Sequence, residues 1–145
     1  KKKLPLTPEE YGKYYKICDA LPFAFTDIEM VFNEEKKAVD WIFRYGNEAL
    51  ATLEKLPLDK MIGSSFSSLF SNMDSKWLQG YERATLYGET LEIIDYSPEI
   101  DTNLKIICFP TFPGHCGCIL FNADKMRYIK DGNNLVRWII VSMKK

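Results

Sequence analysis

Five stretches of the chain read as strands, and two of them, 23–32 and 89–96, alternate between apolar and polar side chains in the pattern of a strand with one buried face. They cover residues 23–32, 37–45, 89–96, 104–112 and 115–122. The polar run 33–36 separates the first two stretches and predicts a hairpin. A Pro-Gly dipeptide at 113–114 predicts a turn between the last two. The pattern therefore predicts five strands.

Apolar residues spaced three and four positions apart predict helices in the remaining segments. The first helix is predicted from Pro8 to Ala20, with Thr7 and Glu10 forming a capping box at its start. One face of this helix carries Tyr11, Tyr14, Tyr15 and Cys18. Such an apolar stripe must be covered, either by the protein's own sheet or by a partner chain.

Three more helices are predicted between the second and third strands. Asn47 is a good N-cap for the first of them, because its side-chain oxygen can accept a backbone N–H of the first turn. The second is expected to begin at Asp59 and to end at Gly63. The third is predicted from Ser75 to Tyr87 and is closed by Gly88. The expected order is helix, two strands, three helices and three strands.

Two short motifs follow one another in the middle of the chain. The first is Asn47-x-Ala49-x-x-x-Leu53, and the second is Ile62-Gly63-x-x-Phe66-x-x-Leu69-Phe70. Their order and spacing, with matching elements on both sides, resemble a PAS domain over residues 21–124. The resemblance implies an α+β fold, in which a five-stranded antiparallel sheet carries helices on one face and an N-terminal amphipathic helix is added. It also implies that Asn47, Gly63 and Phe66 are scaffold residues.

The resemblance divides the chain into three parts. Residues 1–20 are expected to form a dimerisation or capping helix, 21–124 the PAS domain, and 125–145 a linker segment toward an effector domain. In PAS proteins the last strand usually continues through an Asp-x-Thr signature, and Asn122-Ala123-Asp124 departs from it here. The apolar run 135–141 suits a helix or a strand equally, because both of its faces are apolar.

Composition excludes several classes of protein. The chain has 145 residues, of which 46% are hydrophobic, and this suits one globular domain. Its net charge is −1 with acids and bases interspersed, so no nucleic-acid partner is predicted. No apolar run is long enough for a membrane span, and no secretory signal is present. Four cysteines are too few for a disulfide scaffold, so we expect a cytoplasmic setting. The chain begins with Lys1, and we expect it to be a piece of a larger protein.

Catalytic chemistry has little support in the sequence. The single histidine, His115, follows the 113–114 turn and is expected to be exposed. A phosphate-binding loop, a nucleophile elbow and a metalloprotease motif are all missing. We therefore predict that this chain is not an enzyme.

One group of residues has the chemistry of a metal site. Three thiols and an imidazole would suit zinc, and they come from Cys108, His115, Cys116 and Cys118. However, Cys-x-Cys is not the usual zinc spacing, and cysteine is commonly a small buried hydrophobe. We predict that the cysteines belong to the core and that there is no metal site, and a small zinc-binding domain remains an alternative.

The cofactor-binding branches of the PAS family can be compared residue by residue. Flavin-binding light sensors carry a reactive cysteine after the first helices, but residues 64–69 contain none. Haem-binding members often use a histidine on the long helix, and residues 75–87 contain none. A covalent chromophore needs a mid-chain cysteine, which residues 19–107 lack. Flavin and haem are therefore disfavoured, and the cofactor is unknown.

A pocket between the long helix and the sheet remains the candidate ligand site. Its expected lining is Phe43, Tyr45, Phe66, Phe70, Trp77, Tyr81, Ile93, Ile107 and Ile119. The alternative is that these large side chains fill the space themselves.

The resulting interpretation is a non-catalytic sensory or regulatory domain, which binds a small ligand in the apolar pocket and signals through rearrangement of a homodimer. Tyr11, Tyr14, Tyr15 and Cys18 are the predicted dimer contacts. By resemblance, the parent protein would be bacterial, with a covalently linked histidine kinase, diguanylate cyclase or phosphodiesterase as its effector. The alternative from another class is a protein-interaction module with a filled core.

Overall fold

A computed structural model describes residues 3–71 and 73–127. The helices are α1 (Pro8–Tyr14), the 3₁₀ helix η1 (Lys16–Ala20), α2 (Glu48–Glu54), α3 (Leu58–Met61), α4 (Phe66–Leu69), α5 (Ser75–Tyr87) and the 3₁₀ helix η2 (Ala123–Lys125). The strands are β1 (Ala24–Phe32), β2 (Ala38–Gly46), β3 (Leu91–Ser97), β4 (Thr102–Pro110) and β5 (His115–Asn122). Most of the predicted linker, residues 128–145, lies outside the described residues.

The five strands form one antiparallel sheet in the order β2-β1-β5-β4-β3. The predicted hairpin of the first two strands is confirmed, and β5 pairs with β1 on one side and with β4 on the other. Because β5 lies beside β1, the last strand of the domain is next to the first. For example, Ala24 of β1 lies opposite Leu120 of β5.

The first predicted helix is shorter than expected, because its regular part ends at Tyr14. The capping box of Thr7 and Glu10 is confirmed at its start. After Tyr15 the chain tightens into η1, and this places two of its groups against β2. The Cys18 carbonyl accepts a hydrogen bond from Asn47 Nδ2, and Asp19 accepts one from the Tyr45 hydroxyl. These long-range contacts, which local spacing does not encode, set the bend.

Between β2 and β3 the described chain has four α-helices rather than the predicted three. Asn47 caps α2 as expected, with its Oδ1 accepting from the Leu50 amide. Helix α3 begins after Pro57, so the prediction of an Asp59 cap was wrong. The additional turn is α4, which the Ser65 hydroxyl caps by accepting from the Ser68 amide. Helix α5 has the predicted bounds and ends at Gly88, whose φ of 68° suits glycine.

The two faces of the sheet are covered by different helices. The inner face packs against α2–α5 around a core that includes Ile28, Trp41, Phe43 and Leu50. The outer face is covered by α1, with a second, smaller group of Tyr11, Tyr15, Phe25 and Tyr45. The N-terminal helix is therefore part of the folded domain. Among the described residues, none of the helices has the length and apolarity needed to cross a membrane.

Candidate functional site

The space between α5 and the sheet is occupied by aromatic side chains. The Trp41 ring lies 4.3 Å from the Phe66 ring and 5.0 Å from the Tyr81 ring, measured between centroids. Phe70 stacks on the other side of Phe66 at 4.7 Å. All four rings belong to or pack on the inner core. These contacts favour the filled-core alternative for this part of the molecule.

The structure brings together only part of the predicted pocket lining. Six residues lie in the inner core or pack against it, namely Phe43, Phe66, Phe70, Trp77, Tyr81 and Ile93. Tyr45 and Ile119 instead belong to the group of side chains that α1 covers on the outer face of the sheet. Ile107 shares their face because it pairs directly with Ile119. The prediction that these three residues face the long helix was wrong.

A β-bulge explains the position of Tyr45. Residues two apart on a regular strand share a face, so Tyr45 was expected beside Phe43. However, Asp27 pairs with Tyr45 while the next residue, Ile28, pairs with Phe43, which leaves Arg44 as an extra residue. The insertion turns Tyr45 to the outer face, opposite the side of Phe43.

The outer face holds a buried carboxylic acid beneath α1. Asp27 is 0% exposed, its side chain accepts a hydrogen bond from the Tyr15 hydroxyl, and its Oδ1 lies 3.3 Å from the donating Thr111 hydroxyl. Removal from water disfavours the charged carboxylate and raises the pKa of Asp27 to about 7, although both hydrogen bonds oppose this. The acid is therefore poised to change its charge near neutral pH.

His115 is buried on the same outer face. It lies on β5 two residues before Gly117, the residue that pairs with Asp27. It is 1% exposed, so the prediction of an exposed side chain was wrong. Its Nδ1 lies 2.9 Å from the Pro113 carbonyl, and its Nε2 lies 2.7 Å from the Tyr11 hydroxyl. With Nδ1–H donating to the carbonyl, Nε2 accepts from Tyr11. Burial lowers the pKa of His115, which favours this neutral form.

Two titratable groups are therefore covered by Tyr11 of α1 and by Tyr15, the residue that caps the C-terminal end of α1. Tyr11 and Tyr15 are four residues apart, so they project from the same side of this segment. Tyr15 also packs on Phe25 and Tyr45, with ring centroids 5.1 and 5.0 Å apart. The candidate site on the outer face therefore consists of Tyr11, Tyr15, Asp27, Thr111 and His115. Sequence reasoning missed Asp27, and its signal was a carboxylic acid near the start of a strand whose first residues are mostly apolar.

The predicted dimer contacts are divided by this packing. Tyr11 and Tyr15 are buried by the protein's own sheet, and Cys18 is half-buried. Tyr14 is 65% exposed, and Ile17, which the prediction did not include, is 87% exposed. In this arrangement Tyr11 and Tyr15 are not available to a partner chain.

The four residues of the zinc alternative do not come together. Cys108, Cys116 and Cys118 lie in the inner core, whereas His115 faces α1 on the outer side. The sheet itself separates the imidazole from the thiols, so these side chains cannot bind one ion together. Across residues 3–71 and 73–127, no other group of three His, Cys, Asp or Glu side chains is arranged for a metal.

A groove lies at the edge of the inner face, away from the aromatic core. It has a volume of about 500 Å³ and runs between α2 and the adjoining ends of β1, β4 and β5. Its lining is Pro22, Phe23, Ala24, Ala49, Thr52, Leu53, Lys55, Thr102, Leu120, Phe121, Asn122, Lys125 and Met126. None of the residues predicted to line a pocket contributes to it.

Comparison with known proteins supports the fold. No family model matches the chain, and no curated protein matches it. A solved structure described as "Structure of an RNA-binding Light-Oxygen-Voltage Receptor" is similar, with a TM-score of 0.51 and 15% sequence identity over 85% of this chain. The match covers 36% of that protein, so the chain spans about a third of its length. Light-Oxygen-Voltage receptors contain PAS-family domains, and the predicted α+β fold is confirmed as PAS/LOV-like.

Proposed function

We propose that this chain is a sensory or regulatory domain of a signal-transduction protein, and that α1 is the element whose position carries the signal. The fold supports the class of protein. The observation that carries the proposal is the pairing of Tyr11 of α1 with His115 and of Tyr15, its C-cap, with Asp27 of the sheet. Two titratable groups are thereby buried under one short N-terminal segment.

The length of α1 makes its docking decisive. It has seven residues, and an isolated helix of that length is not stable in water. Helix α1 therefore forms only while it is packed on the sheet. Its two buried hydrogen bonds contribute about 1 kcal/mol each, so a modest change at either one shifts the equilibrium between docked and released states.

Release of α1 would expose an aromatic surface. The residues beneath and around α1 include Phe25, Tyr45, Phe109, Phe112 and Ile119. An apolar patch of this kind binds a partner once it is uncovered. We propose that the homodimer expected from the sequence forms through this surface and that α1 controls access to it.

The experiment compares the native chain with the double variant Tyr11→Phe/Tyr15→Phe, which removes both hydroxyls and keeps both rings. We expect faster amide hydrogen exchange across residues 8–20, together with a larger dimer fraction by light scattering. Tyr14→Phe is the matched control, because Tyr14 is an exposed tyrosine of the same helix. Faster exchange without dimerisation would show that the outer face is not the dimer surface. Unchanged exchange would show that the two tyrosine hydrogen bonds do not hold α1 on the sheet.

A protein-interaction module without a small ligand is the second candidate. The contacts of Trp41 with Phe66 and Tyr81 favour it, because they fill the space expected to be a pocket. Native mass spectrometry of the purified protein separates the two functions, since a sensor of a small molecule should retain an adduct. The effector domain and the bacterial source remain predictions from the family resemblance, and the cytoplasmic setting remains a prediction from the cysteine content.

A further inference from the structure

The groove beside α2 has two kinds of surface. Its floor is apolar, because Ala24 and Leu120 are core residues and Ala49, Leu53 and Met126 lie beside them. Its volume of about 500 Å³ is within the ~300–1,000 Å³ range of small-molecule sites. An apolar floor of this size suits a hydrocarbon chain.

The charged residues in the described lining are both lysines. Lys55 follows α2, and Lys125 belongs to η2, so the two ammonium groups come from different walls. Within residues 3–71 and 73–127, neither lysine forms an ion pair or a hydrogen bond through its side chain. The described part of the lining contains no aspartate or glutamate, and Asp124, beside Lys125, accepts a hydrogen bond from Asn103 at 3.1 Å. The rim therefore attracts an anion.

We propose that this groove binds a fatty-acid-type amphiphile, with the hydrocarbon chain on the floor and the carboxylate between Lys55 and Lys125. The C-terminal end of α2 opposes an anion through its exposed carbonyls, and Lys55 lies where it offsets that effect. A neutral lipid would leave both ammonium groups without a partner. An aliphatic cation would be repelled by them. This inference goes beyond the proposed function, because binding in the groove requires no movement of α1.

The test measures binding of decanoate to the full chain by isothermal titration calorimetry, with decanol and decyltrimethylammonium as uncharged and cationic probes. We expect decanoate to bind at least tenfold more tightly than either probe. Each CH₂ added between octanoate and dodecanoate should tighten binding about fourfold, the equivalent of ~0.8 kcal/mol of transfer free energy. Equal binding of the three ten-carbon probes would overturn the charge assignment.

Substitutions in the lining test whether the ligand binds in the groove. Lys55→Gln combined with Lys125→Gln should weaken decanoate binding about tenfold or more, and Ala49→Phe should abolish it by filling the floor. Lys60→Gln is the matched control, because Lys60 is an exposed lysine outside the lining. Circular dichroism of each variant confirms that it is folded.

Two further outcomes would overturn the proposal. Failure of decanoate to bind at millimolar concentration would show that the groove does not bind a fatty-acid-type amphiphile. Concentration-dependent NMR shifts at Leu53 and Met126 without ligand would identify a second copy of the chain as the occupant instead. Neither result bears on the tyrosine variants of α1, so failure of this proposal and failure of the proposed function are distinguishable.

Discussion

The Tyr15 hydroxyl donates a hydrogen bond to the carboxyl group of Asp27, and this contact joins the C-terminal cap of α1 to the central part of the sheet. Asp27 lies on β1, opposite Gly117 of β5, where Phe109 and Thr111 occupy the space of the missing side chain. The carboxyl group is fully buried, and its environment raises its pKa to about 7. The N-terminal segment is therefore attached through an acid that changes its charge near neutral pH, and through the separate contact of Tyr11 with His115.

Stability should fall as the pH rises through the titration of Asp27. Between the unfolded pKa of 3.8 and the folded pKa of about 7, the folded protein binds a proton that the unfolded chain has lost. The Asp27 contribution is therefore full below pH 3.8 and is lost by about pH 7. Relative to the native chain, Asp27→Asn should gain up to ~4 kcal/mol of unfolding free energy between pH 4 and pH 8. Urea denaturation at a series of pH values measures this.

Glu54 is the control for that measurement. It is buried in α2, where desolvation and the nearby Glu99 raise its pKa to about 7, so it acts in the same direction. Glu54→Gln should change the pH dependence of stability without changing hydrogen exchange in α1. If Asp27→Asn left the pH profile unchanged, the pKa of Asp27 would be the same in the folded and unfolded chain, and the predicted effect of its burial on stability would be wrong.

Asn47 should be one of the least replaceable residues of the chain. Its Oδ1 accepts from the amides of Phe25 and Leu50, and its Nδ2 donates to the carbonyls of Cys18 and Phe23. Asn47→Ala removes all four bonds in a buried site and should cost about 2–4 kcal/mol of unfolding free energy. Thermal and urea denaturation measure the loss.

Asn47→Asp separates the two halves of this role. Aspartate keeps an acceptor for the α2 cap but loses the Nδ2 donors to the N-terminal segment. We expect it to retain helix α2 and to increase hydrogen exchange around Cys18. A stability equal to that of the native chain would show that the donor bonds contribute nothing.

Phe66→Ala tests whether the aromatic core is filled. Phe66 is 4% exposed and lies between Trp41 and Phe70, so its removal leaves a cavity. We expect a loss of about 3–5 kcal/mol of unfolding free energy. Tyr87→Ala, at an aromatic residue 68% exposed on α5, should change it by less than about 1 kcal/mol. Similar small losses in both variants would indicate an open pocket around Phe66.

Two glycines should respond in opposite directions to the same substitution. A Cβ on Gly117 would lie 2.8 Å from the ring of Phe109 and 3.0 Å from Thr111 Cγ2, so Gly117→Ala should cost about 1–3 kcal/mol. A Cβ on Gly12 of α1 would meet nothing within 4 Å, and Gly12→Ala should stabilise α1 by about 0.5–1 kcal/mol. Measured unfolding free energies compare them directly, and a destabilised Gly12→Ala would contradict the open surroundings of this glycine.

The elements that sequence reasoning located correctly are those with local causes. The Thr7 capping box, the Asn47 cap and the Gly88 stop each involve residues within a few positions of one another. The residue patterns that located the five strands are likewise local, whereas the arrangement of the strands in one antiparallel sheet was implied by the resemblance to PAS domains. The order of elements and the PAS/LOV-like fold were therefore accessible from the sequence.

The sequence by itself determined the approximate positions of the five strands and the bounds of α5, because caps, turns and periodicity act over a few residues. The tertiary structure alone decided which face each side chain occupies and what it touches. The bulge at Arg44 sent Tyr45 away from Phe43, and α1 buried His115 and Asp27 on a surface that alternation left unassigned. Such outcomes depend on contacts between residues up to 104 positions apart, whose energies are set only when the sheet and helices pack together.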